Sequence, residues 1–150
     1  MKAFENSIWY NNLDSDIVYI GKVLYKYSGT DTKIEIKEGI KAIAGGAFEE
    51  NTSITSMDIP NGITNIGQKA FYKCSNLTSI KLPNTLIEIG NNAFEWCTSL
   101  NNVVIPNSVT KIGEYTFAFN YALTNIEIGT GIEKIPRYFI WDCTSLETLI

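Results

Sequence analysis

The side chains in this 150-residue chain best equipped for chemistry are three cysteines, and their spacing is regular. Cys74 and Cys97 are 23 residues apart, and Cys143 follows after twice that interval. Thiols can serve as nucleophiles, as zinc ligands or as halves of a disulfide, but a nucleophilic thiol normally relies on a histidine base, and three cysteines alone do not complete a four-coordinate zinc site. The sequence contains no histidine. Ser-His-Asp and Cys-His systems and His-containing zinc sites are therefore excluded, and with them the commonest general base. A second pair at the same interval, Glu35 and Asp58, superficially suggests the two carboxylates of a glycosidase. Both observations turn on what an interval of 23 means, so the elements that carry these residues have to be considered first.

The interval belongs to the whole chain. GQKAFYKCSNLTSIKLPNTLIEI (67–89) is followed directly by GNNAFEWCTSLNNVVIPNSVTKI (90–112), with Gly, Ala, Phe, Cys, Leu, Pro, Asn and Ile in the same slots. One column reads Phe48, Phe71, Phe94, Phe117, Ile140, and another Ile54, Leu77, Leu100, Leu123, Leu146. Further apolar columns are Met57, Ile80, Val103, Ile126, Leu149 and Ile66, Ile89, Ile112, Ile135. Such a fixed period marks a solenoid whose coils bury their apolar faces against one another, because one coil cannot bury its own. The units run 31–43 as a half copy, then 44–66, 67–89, 90–112, 113–135 and a partial 136–150. Residues 1–30 read as an N-terminal capping segment.

Within a unit, SIKLP alternates exposed and buried positions, as a half-buried strand does, until Pro83 stops it. NTLIEIG supplies a turn and a second short extended piece, and NNAFEWC is compact enough for one 3-10 or α-helical turn. The expected fold is an α/β solenoid, mostly strand and coil, with one parallel sheet holding one short strand per coil and like residues stacked about 4.8 Å apart.

LTSIKLPNTLIEIGNNAFEWC, with its Leu, Ile-x-Leu-Pro, Ile-Gly, Ala-Phe and Cys slots, resembles the BspA-like class of bacterial leucine-rich repeats over about residues 31–150. VYIGKVLYKYSGT (18–30) resembles the hairpin that often precedes such arrays, and a cap is expected at 17–27. The resemblance implies a right-handed leucine-rich-repeat solenoid serving as a cell-surface or secreted adhesion and recognition module. The chain stops in mid-strand at SLETLI and reads as a piece of a longer array. Unit 113–135 departs from the pattern at Gly129 and Thr116, and the last unit puts Phe139 and Ile140 in the Ala and Phe slots, so local repacking is expected there.

The cysteines then fall in the Asn/Cys slot together with Asn51 and Asn120, where a small side chain turns inward. Stacked side chains point the same way, which disfavours a Cys74–Cys97 disulfide, and Cys143 lies two coils away from Cys97. Glu35 and Asp58 share an exposed strand column with Lys81, Val104 and Glu127, where no pocket would shift a pKa. The NTS and NLT sequons at 51–53 and 76–78 read as chance matches.

Net charge is −4, with 12 basic and 16 acidic residues and Arg137 as the sole arginine, which disfavours a nucleic-acid surface. Apolar runs are too short to span a bilayer, and MKAFENSIWY has no signal-peptide core. The functional expectation is a non-catalytic binding module without cofactor or metal, acting on a protein or carbohydrate of another cell or matrix. The alternatives are an intracellular scaffold or the targeting module of a larger enzyme. The expected contact residues are Lys81, Asn102, Asn125 and Glu127 on outward strand slots, and Trp96, Phe119 and Trp141 among the aromatics that gather on or beside the turn.

Overall fold

Chain direction is set first at a two-residue turn. Gly21, at φ +59°, lets β1 (Ile17–Ile20) fold back antiparallel on β2 (Val23–Tyr27), pairing Ile20 with Val23 and Ile17 with Tyr27. This is the expected hairpin, seen here in a computed structural model that describes residues 16–150. The remainder of the capping segment, 1–15, lies outside the described residues.

From β2 onward every pairing is parallel, and from β3 onward every pairing is in register with the 23-residue repeat. One sheet runs β1-β2-β3-β5-β7-β9, where β3 is Ala42–Ile43, β5 Asn65–Ile66, β7 Glu88–Ile89 and β9 Lys111–Ile112. A second runs β11-β10-β8-β6-β4, where β4 is Ser56–Asp58, β6 Ser79–Lys81, β8 Asn102–Ile105, β10 Asn125–Ile128 and β11 Thr148–Leu149. The expectation of a single sheet is corrected: coils 44–66, 67–89 and 90–112 each carry two strands, one for each sheet, and 113–135 carries one. If one segment stacks on its copy without gaps, every other extended segment of the coil also meets its copy, and the same ladder forms twice.

The third side of each coil also differs from expectation. NNAFEWC and its counterparts form no helix. Ala70, Tyr72 and Cys74 donate their N–H to Gly67, Lys69 and Phe71 within the coil, whereas Lys69, Phe71 and Lys73 donate to Asn91, Ala93 and Glu95 of the next. Left-handed residues accompany the alternation: Lys69 and Lys73 both have φ +58°, and a non-helical residue every fourth position is incompatible with consecutive helical bonds. Neighbouring coils are thus joined by backbone hydrogen bonds on all three sides.

The core between these sides is a set of files. Phe48, Phe71, Phe94 and Phe117 stack face to face at centroid distances of 4.8, 5.1 and 5.2 Å. Tyr27 of the cap tops the file, 5.5 Å from Phe48. At the other end Phe139 enters edge-on to Phe117 at 5.6 Å and is buried, while Ile140 is half-buried, so the last coil is repacked.

Ile135 and Leu149, read as core positions from their columns, are instead 50% and 55% exposed. Each is the last of its column among the described residues, with no further coil stacked over it. Gly67, Gly90 and Gly113 donate their N–H to the carbonyls of Ile43, Ile66 and Ile89, and Pro136, in the same column, has no N–H to offer Ile112. The first sheet accordingly ends at β9. In the half copy, 33–36 forms no strand beside β4, and Thr55 N–H to Thr32 C=O (2.9 Å) is retained.

Candidate functional site

The cysteine column is occupied by hydrogen bonding to the main chain. Cys74, Cys97 and Cys143 donate their Sγ–H to the carbonyls of Phe48, Phe71 and Phe117 in the preceding coil, at 3.1, 3.2 and 3.1 Å. All three are free thiols. Desolvation pushes the Cys74 thiol from its usual 9.0 up to about 12, and raises those of Cys97 and Cys143 as well. A thiolate could not make these bonds. Among the described residues no group of three or more His, Cys, Asp or Glu side chains could hold a metal. The buried column predicts a pH dependence with a definite sign. Below pH 9 folded and unfolded chains hold the same thiol protons; above it the unfolded chain ionises first, so stability falls between about pH 9 and 12. Urea midpoints measured across that window for wild type and Cys74→Ala should converge as pH rises.

Asn120 occupies the same column less comfortably. Its Nδ2 donates to Phe94 C=O at 3.1 Å and Phe117 C=O at 2.9 Å, but its buried Oδ1 has no partner. In Asn51 the matching oxygen accepts from Ser53 and Ile54 N–H, both at 3.0 Å. At Asn120 the corresponding donors, Ala122 and Leu123, are bound to Thr98 C=O and to the main-chain carbonyl of Asn120. An orphaned buried acceptor costs about 1–3 kcal/mol. Asn120→Cys, which keeps a donor and removes the acceptor, is expected to raise stability by about 1 kcal/mol in urea unfolding.

With the inward slots occupied, ligand chemistry is confined to the outside, where the structure divides the expected contact residues into three groups. Lys81, Asn102, Asn125 and Glu127 lie on the second sheet, with Asn102 paired to Asn125 and Val104 to Glu127. Trp96 and Phe119 lie on the turn side, across the 98–101 corner, and stack on one another at 4.5 Å, with Tyr121 edge-on to Trp96 at 5.8 Å. Trp141 belongs to a separate cluster. It meets Tyr138 edge-on at 5.3 Å, and Tyr138 stacks on Tyr115 at 4.7 Å. The aromatics therefore form two files along the turn side.

Both files stand on left-handed backbone. Trp96, Phe119, Tyr115 and Tyr138 have φ of 62°, 59°, 56° and 57°. The fold imposes this conformation on every coil, and elsewhere in these columns the residues are Gly46, Lys69 and Asn92, or Glu50, Lys73 and Asp142. A side chain with Cβ costs about 1–2 kcal/mol there, and Gly relieves it. Backbone preference does not select aromatics at such positions.

Beside Trp96 lies an open groove of about 300 Å³ lined by Glu50, Thr52, Lys73, Ser75, Trp96 and Thr98. Lys73 Nζ bonds Glu50 Oε1 at 3.2 Å and sits 5.2 Å from the Tyr72 ring centroid. The hydrogen bond to Glu50, foremost, raises the Lys73 pKa. Sequence reading missed these polar residues, although the signal was present: Glu50 and Lys73 share the Trp96 column, and Thr52 and Ser75 share that of Thr98. Glu35 and Asp58 line a separate open cleft with Lys33, Ser56 and Ser79 at the start of the second sheet.

A parallel solenoid with 23-residue coils, a stacked Phe file and an inward Asn/Cys slot defines a leucine-rich-repeat protein. The BspA-type leucine-rich-repeat region model matches residues 18–147 in six copies, and the chain belongs to that family. Among solved structures, it resembles the leucine-rich repeat protein of T. pallidum at 28% identity and a TM-score of 0.80, covering 85% of this chain and 62% of that one. A leucine-rich cell surface protein from Faecalibacterium prausnitzii A2-165 is similar at 29% identity and 0.81, covering 85% and 34%. The pneumococcal vaccine antigen PcpA, at 24% identity and 0.77, shares the fold. The chain thus spans 62% and about a third of the first two relatives. No curated protein matches it. Among the described residues no helix is long and apolar enough to cross a membrane.

Proposed function

We propose that this chain is a non-catalytic recognition module of a secreted or cell-surface protein, binding a protein or carbohydrate of another cell or of its matrix through the turn side around Trp96 and Phe119. The observation that carries this reading is the placement of bulky aromatics on outward left-handed positions, where they strain the backbone. Aromatic side chains are the usual anchors of binding surfaces. Lys81, Asn102, Asn125 and Glu127 form a mixed polar ladder on the adjacent side and suit the rim of such a surface, with Trp141 as a second anchor. The cell-surface description of the F. prausnitzii relative supports the location.

Trp96→Gly tests the reading, with circular dichroism alongside to check that the fold is retained. Relief of left-handed strain, about 1–2 kcal/mol, offsets the lost stacking on Phe119, about 0.5–1.5 kcal/mol. The lost burial of the half-buried indole adds about 1.5–3 kcal/mol, so a net destabilisation of that order is expected, with the coil pattern in circular dichroism retained, while immobilised protein loses capture of matrix proteins, host-cell surfaces or glycans. Undiminished capture by the Trp96→Gly, Phe119→Gly double variant would overturn it.

A further inference from the structure

The corners that lead from the second sheet to the first stack on one another, and one of them carries a reactive pair. At the 23-residue step they read Asn61-Gly62, Asn84-Thr85 and Asn107-Ser108. All three asparagines are exposed. Each corner closes in the same way, with the N–H of Ile63, Leu86 and Val109 donated to the carbonyls of Pro60, Pro83 and Pro106 at 3.5, 3.0 and 3.1 Å. What differs is the residue after the asparagine. Asn61-Gly62 is the only Asn-Gly step in the sequence, and Gly62 has φ +102°, the sign a type II turn requires at its third residue.

That difference bears on a reaction needing no enzyme. The Gly62 main-chain nitrogen, on losing its proton, attacks Asn61 Cγ. The new N–C bond closes a succinimide ring, and the side-chain nitrogen takes up a proton and leaves as ammonia. One water then opens the ring at either carbonyl, giving aspartate or isoaspartate at 61. No electrons change hands. A side chain on the attacking residue crowds its nitrogen, most of all a β-branched one, so Thr85 and Ser108 shield Asn84 and Asn107 while Gly62 offers no such obstacle. Asn107 is tied further, its Oδ1 accepting from Thr130 N–H at 3.0 Å. Among the described residues the Asn61 carboxamide has no hydrogen-bond partner. Lys41 Nζ lies 3.7 Å from the point a Cβ on residue 62 would occupy, and an ammonium there stabilises negative charge developing at this corner.

Against attack stands a contact from the next coil. Gly62 N–H donates to Thr85 Oγ1 at 2.9 Å, and the same hydroxyl donates to Ile63 C=O at 2.8 Å. The nitrogen has to leave that bond before it can reach the carboxamide carbon. We infer that Asn61 is a site of spontaneous deamidation and isoaspartate formation, gated by the Thr85 hydroxyl of the following coil. The product places a carboxylate on a neutral corner, beside Lys41. Isoaspartate also adds one carbon to the main chain, which a gap-free stack cannot absorb while Thr85 keeps both bonds. The change is therefore irreversible once made and disturbs the contact that restrained it.

Incubation of the full chain in mildly alkaline buffer, followed by peptide mapping in a mass spectrometer, tests the inference, with isoaspartate assayed by its carboxyl methylation. Acid forms are expected to accumulate at 61, isoaspartate in excess, while Asn84 and Asn107 remain amides. Thr85→Val, which keeps the β-branched shape and removes the hydroxyl, should speed conversion several-fold. Thr85→Ser, which restores a hydroxyl, should return it close to the wild-type rate. Phe94→Ala, destabilised with Thr85 intact, separates the gate from general loosening. An amide that persists at 61 over a period in which the urea-unfolded chain converts overturns the site, as does equal conversion at Asn84 or Asn107. A Thr85→Val rate no greater than that of wild type or of Phe94→Ala overturns the gate.

Discussion

Phe94→Ala is expected to destabilise the chain by about 3–5 kcal/mol, the range for truncating a buried aromatic. Phe94 is fully buried between Phe71 at 5.1 Å and Phe117 at 5.2 Å, each ring nearly parallel to its own. Removing it opens a cavity in mid-file. The coils cannot close over it, because backbone hydrogen bonds on three sides fix their spacing, including Phe71 N–H to Ala93 C=O at 2.8 Å and Phe94 N–H to Thr116 C=O at 2.9 Å. Urea unfolding followed by circular dichroism would measure the loss. Phe94→Leu, which refills most of the space, should recover a good part of it, and a loss below about 1 kcal/mol for Phe94→Ala would contradict a rigid file.

Gly90→Ala is expected to cost about 2–3 kcal/mol although it adds a single methyl group. A Cβ there would lie 2.6 Å from Gln68 N and 2.8 Å from the Gly67 carbonyl carbon, both main-chain atoms of the preceding coil. The neighbour cannot yield without stretching the Gly90 N–H to Ile66 C=O bond of 2.8 Å. Ala44 stands in the same column and is accommodated, because its N–H meets Leu24 C=O of the hairpin cap rather than another full coil. Ala44→Gly should therefore change stability far less than Gly90→Ala, and equal effects in the two urea midpoints would argue against close coil approach as the reason for glycine.

The period and the core columns were legible in the sequence because they are strictly periodic signals, whereas the hairpin was expected only from the family resemblance. Phe71, Phe94 and Phe117 return every 23 residues, and SIKLP alternates as a strand does. Given the period, stacking places every copy beside its copy, so the inward cysteines, the Phe file and the outward aromatic columns all follow. The sequence by itself thereby determined the solenoid, its register and the separation of structural from available positions.

Three-dimensional contact decided the rest. Two sheets arise because both extended segments of a coil find partners at once, and partner geometry leaves no mark on either segment alone. The turn side is non-helical because inter-coil bonds from Lys69, Phe71 and Lys73 hold Lys69 and Lys73 left-handed, against the preference of those residues. Pro136 cannot repeat the bond by which each coil's glycine joins the one before, an effect visible only once Gly113 is seen donating to Ile89. Tertiary structure also divided the expected contact residues, leaving Lys81, Asn102, Asn125 and Glu127 on one side and Trp96 with Phe119 on another, and placed Glu50 and Lys73 beside the indole. A column assigns a residue to a side of the coil, but which atoms face a common space depends on side-chain direction and on the stacking of rings between coils.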